Sequence, residues 1–175
     1  MKMTASAAIL ALASVLTLAG AHAAGFEPYP GAVPSPELEA AAGQEEVQIG
    51  IDPSEGTVSY FTTSDSFDDV LAFFLQHGHE FAMPPMPGLD DNGRDRGLAA
   101  AVTFGADGFK AVPTGVRVNQ AFVIFDDAED INESSDWLTI IRPVVFGARS
   151  GDGIGWRFTP VRTENATAIV RMRRQ

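Results

Sequence analysis

Phe67, Val70, Leu71 and Phe74 recur at i, i+3, i+4 and i+7, which is one apolar face of an α-helix. Phe73 and Leu75 widen that face. Ser64 or Asp65 supplies a cap, and Asp68 and Asp69 fall in the first turn, where the helix dipole favours negative charge. Gly78 stands where helices commonly stop. The spacing predicts an amphipathic helix over 65–77. Elsewhere the pattern is that of strands. Thr57–Thr62 has β-branched and aromatic content, and Leu98–Phe104 reads as a strand followed by a turn at Gly105–Gly108. Arg117–Phe125 and Trp137–Phe146 are apolar on both faces, which predicts central strands covered on two sides. Pro143 cannot donate to a ladder, so it marks a bulge or an edge register in the second of these. Trp156–Val161 and Ala166–Met172 read as a final hairpin around Thr163-Glu164-Asn165. Val47–Ile51 alternates only weakly. Residues 83–97, with Met83-Pro84-Pro85-Met86-Pro87 and Asp90-Asp91-Asn92-Gly93, read as a loop ending in a turn. Pro28, Pro30, Pro34 and Pro36 predict an extended arm or an ordered lead-in over 25–46 rather than regular structure. The expectation is an α+β fold: an antiparallel sheet of about five to seven strands with one main amphipathic helix packed on one face. No repeat at a fixed spacing is present.

The first segment has a different pattern. Lys2 is followed by an apolar run, Ala7–Ala19, broken only by Ser14 and Thr17, and then by the small-x-small sequence Ala21-His22-Ala23. These are the parts of a secretory signal peptide, and the run is shorter than the roughly 20 residues that span a bilayer. The expected organisation is a signal peptide over 1–23, a Pro/Gly/Ala-rich arm over 24–46 and one α+β domain over 47–175. The mature chain is then periplasmic or secreted, with neither a transmembrane segment nor, lacking cysteine, a lipid anchor. Arginine outnumbers lysine ten to two, with Lys110 the only lysine beyond the signal, which fits a GC-rich bacterial coding bias.

Composition narrows the chemistry. The 175 residues carry 23 Asp and Glu against 12 Lys and Arg, for a net charge of −11, and no cysteine. Disulfides, thiolate nucleophiles and Cys-ligated zinc are excluded, and nucleic acid is a poor partner for so acidic a chain. The charge is uneven along the sequence. From residue 149 onward, Arg149, Arg157, Arg162, Arg171, Arg173 and Arg174 face only Asp152 and Glu164. Such a basic end on an acidic body either docks an acidic partner, another copy or anionic lipid, or pairs internally with the acidic surface.

Four clusters carry candidate chemistry. His77, His79, Met83 and Met86 fall within ten residues, and imidazole with thioether ligands suits copper or, less specifically, zinc; equally, the histidines can sit against the helix dipole and the methionines cover the core. Six acids in 126–136 could bind calcium, though an EF-hand order is absent, or form a solvated loop between two strands. Ser150-Gly151-Asp152-Gly153-Ile154-Gly155 lacks the lysine of a phosphate loop and reads as a flexible connection. A hydrolase would need His77 or His79 to meet a serine and an acid from elsewhere, since no nucleophile motif is present.

Tyr29-Pro30-Gly31-Ala32, followed by Tyr60-Phe61-Thr62-Thr63-Ser64-Asp65-Ser66-Phe67 and Val70 to Phe74, resembles small exported bacterial domains with a YPGA lead-in and a T-S-D-S-F strand-to-helix pattern. The resemblance covers residues 28–78 and departs at Phe74, where a tyrosine is expected. Those domains are largely uncharacterised, so the resemblance implies an α+β periplasmic domain and no activity. The reading that follows is an exported, soluble binding domain of the cell envelope without an identified catalytic group or cofactor, with Arg171, Arg173 and Arg174 as the candidate partner contacts. A periplasmic copper or zinc binder using the His/Met cluster is the first alternative, and a small periplasmic hydrolase the second.

Overall fold

The computed structural model describes residues 27–47, 49, 53–82, 95–105, 108–150 and 156–174. Within them lie β1 (Val33–Pro34), α1 (Pro36–Gly43), a 3₁₀ turn (Pro53–Glu55), β2 (Thr57–Thr63), α2 (Phe67–Phe74), β3 (His79–Phe81), β4 (Asp95–Gly105), β5 (Gly108–Ile124), β6 (Asp136–Arg142), β7 (Val144–Ser150), β8 (Trp156–Glu164) and β9 (Thr167–Arg173). All pairings are antiparallel, in the order β1-β2-β9-β6-β5-β4-β8-β7, with β3 added against the end of β5. The architecture is the expected α+β one, an antiparallel sheet with two short helices.

The strand register sorts the core into two faces. Phe122, Thr139 and Val170 lie side by side across β5, β6 and β9, and Val123, Leu138 and Arg171 occupy the next row. Side chains alternate across a strand, so these rows point to opposite faces. One face carries Ala121, Val123, Leu138, Ile140 and Ile169, and α2 covers it with Phe67, Val70, Leu71 and Phe74. The opposite face meets α1 and β7 at one end, through Leu38, Ala41, Val144 and Phe146. At its other end Ala128 and Ile131 of the 125–135 loop pack on Phe122, Trp137 and Met172. The central position of β5 and β6 inferred from their doubly apolar sequences is therefore what the sheet shows, since β6 lies between β5 and β9.

Helix α2 is shorter than the periodicity suggests. Ser66, rather than Ser64 or Asp65, caps it: its Oγ accepts the Asp69 N–H. Gly78 lies beyond the last turn. Its N–H still donates to Phe74 O at 3.1 Å, but a Cβ there would stand 2.4 Å from the Ile124 carbonyl oxygen. Glycine is required because the chain presses against β5 as β3 begins.

Three expectations are corrected. Residues 25–46 are not an irregular arm throughout: Pro36 to Gly43 form α1, with Leu38, Ala41 and Ala42 buried in the core. Pro36 begins the helix, where its missing N–H is one that no helix pairs, and the Ser35 side chain accepts the Leu38 N–H. Trp137–Phe146 is not one strand. Pro143 divides it into β6, which pairs with β5 and β9, and β7, which pairs with β8. Nor do the last two strands form a hairpin, because β8 pairs with β7 and β4, whereas β9 lies between β2 and β6. The chain leaves the main sheet at Pro143, runs out and back as the β7–β8 ribbon, and returns at Thr167.

Candidate functional site

The YPGA lead-in is a β-turn. Ala32 N–H donates to Tyr29 O at 3.0 Å, and Gly31 has φ +84°, the values of a type II turn with proline at its second position and glycine at its third. The turn delivers Tyr29 onto α2. Its ring meets Phe73 edge-on at 5.3 Å, and its hydroxyl donates to Asp65 Oδ2 at 2.8 Å. The two separated stretches of the resemblance thus form one contact unit. The hydrogen bond to Asp65, with burial and the nearby Asp65 and Asp69 charges, pushes the Tyr29 hydroxyl up to about 12.

The three C-terminal arginines converge on one place. Arg171, 7 % exposed, is bidentate on Asp136: Nε donates to Oδ1 at 2.7 Å and Nη2 to Oδ2 at 2.5 Å. Its guanidinium also lies 5.8 Å from the Phe125 ring centroid. Arg173 stands 3.9 Å from the same carboxylate, with its side chain half exposed. Arg174 donates to the carbonyls of Ile131, Asn132 and Ser134 and pairs with Glu55. Of the two readings of this basic end, internal pairing is the one seen for Arg171 and Arg174.

The acidic loop closes on itself in the same way. Asp126 accepts from the Ser135 N–H (2.7 Å), the Ser135 hydroxyl (2.9 Å), the Asp136 N–H (3.3 Å) and the Ala128 N–H (3.3 Å). Burial alone would push its carboxyl up, but these donors outweigh burial and hold it below the ordinary value. Asp130 takes the backbone and side-chain N–H groups of Asn132, at 2.8 and 2.7 Å. Asp126 and Asp130 are thus engaged by N–H and O–H donors of their own loop, and Asp136 by the Arg171 guanidinium.

His77 follows α2 and rests its ring against Phe73 at 5.5 Å. His79 opens β3, with Nε2 3.0 Å from the Ala128 carbonyl oxygen. A carbonyl only accepts, so this nitrogen carries the proton and Nδ1 is left as the ring's possible ligand atom. Met83 and Met86 lie outside the described residues, as does the glycine-rich stretch 151–155. Among the described residues no three His, Asp or Glu side chains come together as a metal-binding group, and neither histidine hydrogen-bonds a serine or a carboxylate.

Sequence reasoning missed two features. Arg142, at the end of β6, donates through Nη1 to the Ser64 and Asp65 carbonyls (3.3 and 2.8 Å) and to Thr167 Oγ1 (3.0 Å), and through Nη2 to Asn165 Oδ1 (2.8 Å). It ties the start of α2 to the start of β9, and nothing in its sequence neighbourhood marks it. The second is the ribbon of β4 and β5. Beyond Asn119, where β6 stops pairing, the two strands continue together to Gly105 and Gly108, joined among the described residues only by Trp156 and Arg157 of β8. Arg96, Lys110, Arg117 and Arg157 lie on these paired segments against Asp95 alone, in a chain of net charge −11. The clustering was hidden because Arg157 is distant in sequence from the others.

Comparison with protein-family profiles, with curated proteins and with solved structures finds no match to the chain. No helix among the described residues is long and apolar enough to cross a membrane.

Proposed function

We propose that this is an exported binding domain of the bacterial cell envelope, working through its surface rather than through a catalytic centre. The observation that supports it best is how the conspicuous charged groups are used. Asp136 is held by Arg171, Asp126 by four donors, Arg142 by four acceptors, and Arg174 by three carbonyls and Glu55. Asp126, Asp136, Arg171 and Arg174, which sequence alone offers as chemistry, hold strands and loops in place, as does Arg142. Arg173 remains half exposed at the rim of this network and is the member of the C-terminal trio suited to partner contact. The test is native mass spectrometry of protein taken from the exported fraction without a metal-affinity tag. The expected species begins at Ala24 and carries no metal. A chain retaining residues 1–23 in the cytoplasm overturns the export reading.

A second reading, a copper or zinc binder, is favoured by one contact. A ligating histidine commonly donates its other ring N–H to a backbone carbonyl, which is what His79 does with Ala128. The same spectrum decides it: one copper or zinc per chain, lost on replacing His77 and His79 by alanine, would put the His77, His79, Met83 and Met86 cluster first.

A further inference from the structure

We propose that the layer between the central strands and the 125–135 loop takes up a small, neutral, apolar molecule bearing a carbonyl oxygen. The proposal names the ligand class of the exported binding domain and rests on that reading. It starts from one unsatisfied atom. Trp137 is 3 % exposed, and its indole N–H is buried with no hydrogen-bond partner. A buried donor left unpaired costs stability, and folded proteins seldom keep one unless something outside the chain supplies the acceptor.

The surroundings explain why the chain itself supplies none. Trp137 lies in register between Ile124 of β5 and Met172 of β9, on the face away from α2. Phe122 packs against it, with ring centroids 5.9 Å apart, and Ala128 and Ile131 of the loop cover the group. Those two loop residues bring carbonyls to the cluster, but both are taken. Ala128 O lies 3.0 Å from His79 Nε2, and Ile131 O accepts from Arg174 Nη1 at 2.8 Å. Thr139, the next side chain of β6 on this face, accepts from Gln120 Nε2 at 3.4 Å.

The cluster also selects the chemistry of the missing acceptor. A buried water needs roughly two to four polar partners, and here one donor stands among apolar side chains. A carboxylate fits no better: the cluster holds no lysine or arginine, so its charge would be buried uncompensated in a chain of net charge −11. An apolar body with a single neutral acceptor meets both demands. Its body replaces water against the hydrophobic side chains, and the indole N–H fixes its orientation. Ala128 and Ile131 are only partly buried, so the cover over the indole is thin, and entry is from the loop side.

The mature chain, residues 24–175, is titrated with acetophenone, with its acceptor-free isostere ethylbenzene, and with benzoate. In the Trp156→Phe chain the Trp137 N–H gives the single indole resonance. Saturable uptake of acetophenone is expected, with that proton moving further downfield than it does with ethylbenzene, and with benzoate the weakest of the three. Trp137→Phe should weaken acetophenone about fivefold, the worth of one neutral hydrogen bond, and leave ethylbenzene within about twofold. Retained ethylbenzene uptake also shows that the variant is folded. No saturable uptake at millimolar acetophenone, equal indole shifts with the two isosteres, or tightest binding of benzoate overturns the proposal. So does an indole proton that shows cross-relaxation to a long-lived water, which would give the acceptor to solvent. The chain used begins at residue 24, so such failures leave the export reading standing. Acetophenone uptake by a protein that keeps residues 1–23 in the cytoplasm defeats the export reading alone.

Discussion

At the level of single residues, Arg171 and Asp136 illustrate how much depends on a partner being present. Removing one member of a buried ion pair leaves the other desolvated and uncompensated, which costs about 3–5 kcal/mol. Arg171→Ala should therefore lower unfolding free energy by that order in urea titrations, while Arg173→Ala, whose side chain is half exposed, should change it by well under 1 kcal/mol. The joint replacement of Arg171 and Asp136 by apolar residues should recover most of the loss. The two tyrosines of the chain offer a second check. The Tyr29 hydroxyl is pushed up to about 12, and burial with the nearby Glu39 charge pushes Tyr60 up as well. Neither should ionise near pH 10 while the protein is folded, and the ultraviolet phenolate band should appear only at higher pH or on unfolding. A folded-state value raised above the unfolded one stabilises the fold below pH 10 and ceases to do so as pH climbs through about 12. A normal phenolate titration in the native protein would contradict the Tyr29–Asp65 contact.

Among the elements, α2 and the cores of β5 and β6 are legible in the sequence, because burial against neighbours on one or two sides leaves a direct periodic trace. Three things leave none. Prolines conceal α1, since Pro36 looks like a breaker and acts as a first residue. Strand pairing is decided by contacts far apart in sequence, so β8 and β9, adjacent in the chain, end in different parts of the sheet. The bonds of the arginines are equally non-local: Arg171 pairs with Asp136, 35 positions away, and Arg142 donates to the Asp65 carbonyl, 77 positions back. The same distances explain why the arginine-rich end reads as a docking surface when only the sequence is considered. If α1 is an integral element, Leu38→Ala should cost about 2–5 kcal/mol, as in other fully buried sites, and Ser35→Ala about 1 kcal/mol through loss of its cap. Thermal unfolding that left both variants unchanged would return residues 36–43 to the status of an arm.

For the whole molecule, the acidic balance couples stability to pH. Asp126 is held below its ordinary value of 3.8, so its contribution is complete above that value and is lost as pH falls through the lower folded-state value. Urea midpoints should stay level from neutral pH to about 5 and then drop, with a shallower drop for Asp126→Asn, which has already lost the charge that the Ser135 and Ala128 donors favour. Equal slopes for the two proteins would mean that the 125–135 loop does not depend on that carboxylate.

The β7–β8 register slips at one place: Phe146 faces Arg162 and Gly147 faces Pro160, so Val161 is an extra residue, 76 % exposed. Beyond Arg157, β8 has no paired neighbour on its outer side among the described residues. An open rim of this kind recruits other chains into fibres unless something spoils its regularity, and a proline beside a bulge does so by removing a donor and bending the strand. Pro160→Thr combined with deletion of Val161 should leave the monomer folded yet turn it into a seed for thioflavin-positive polymer. On this view the exposed valine is neither a binding knob nor a packing fault, but a safeguard against self-templated growth.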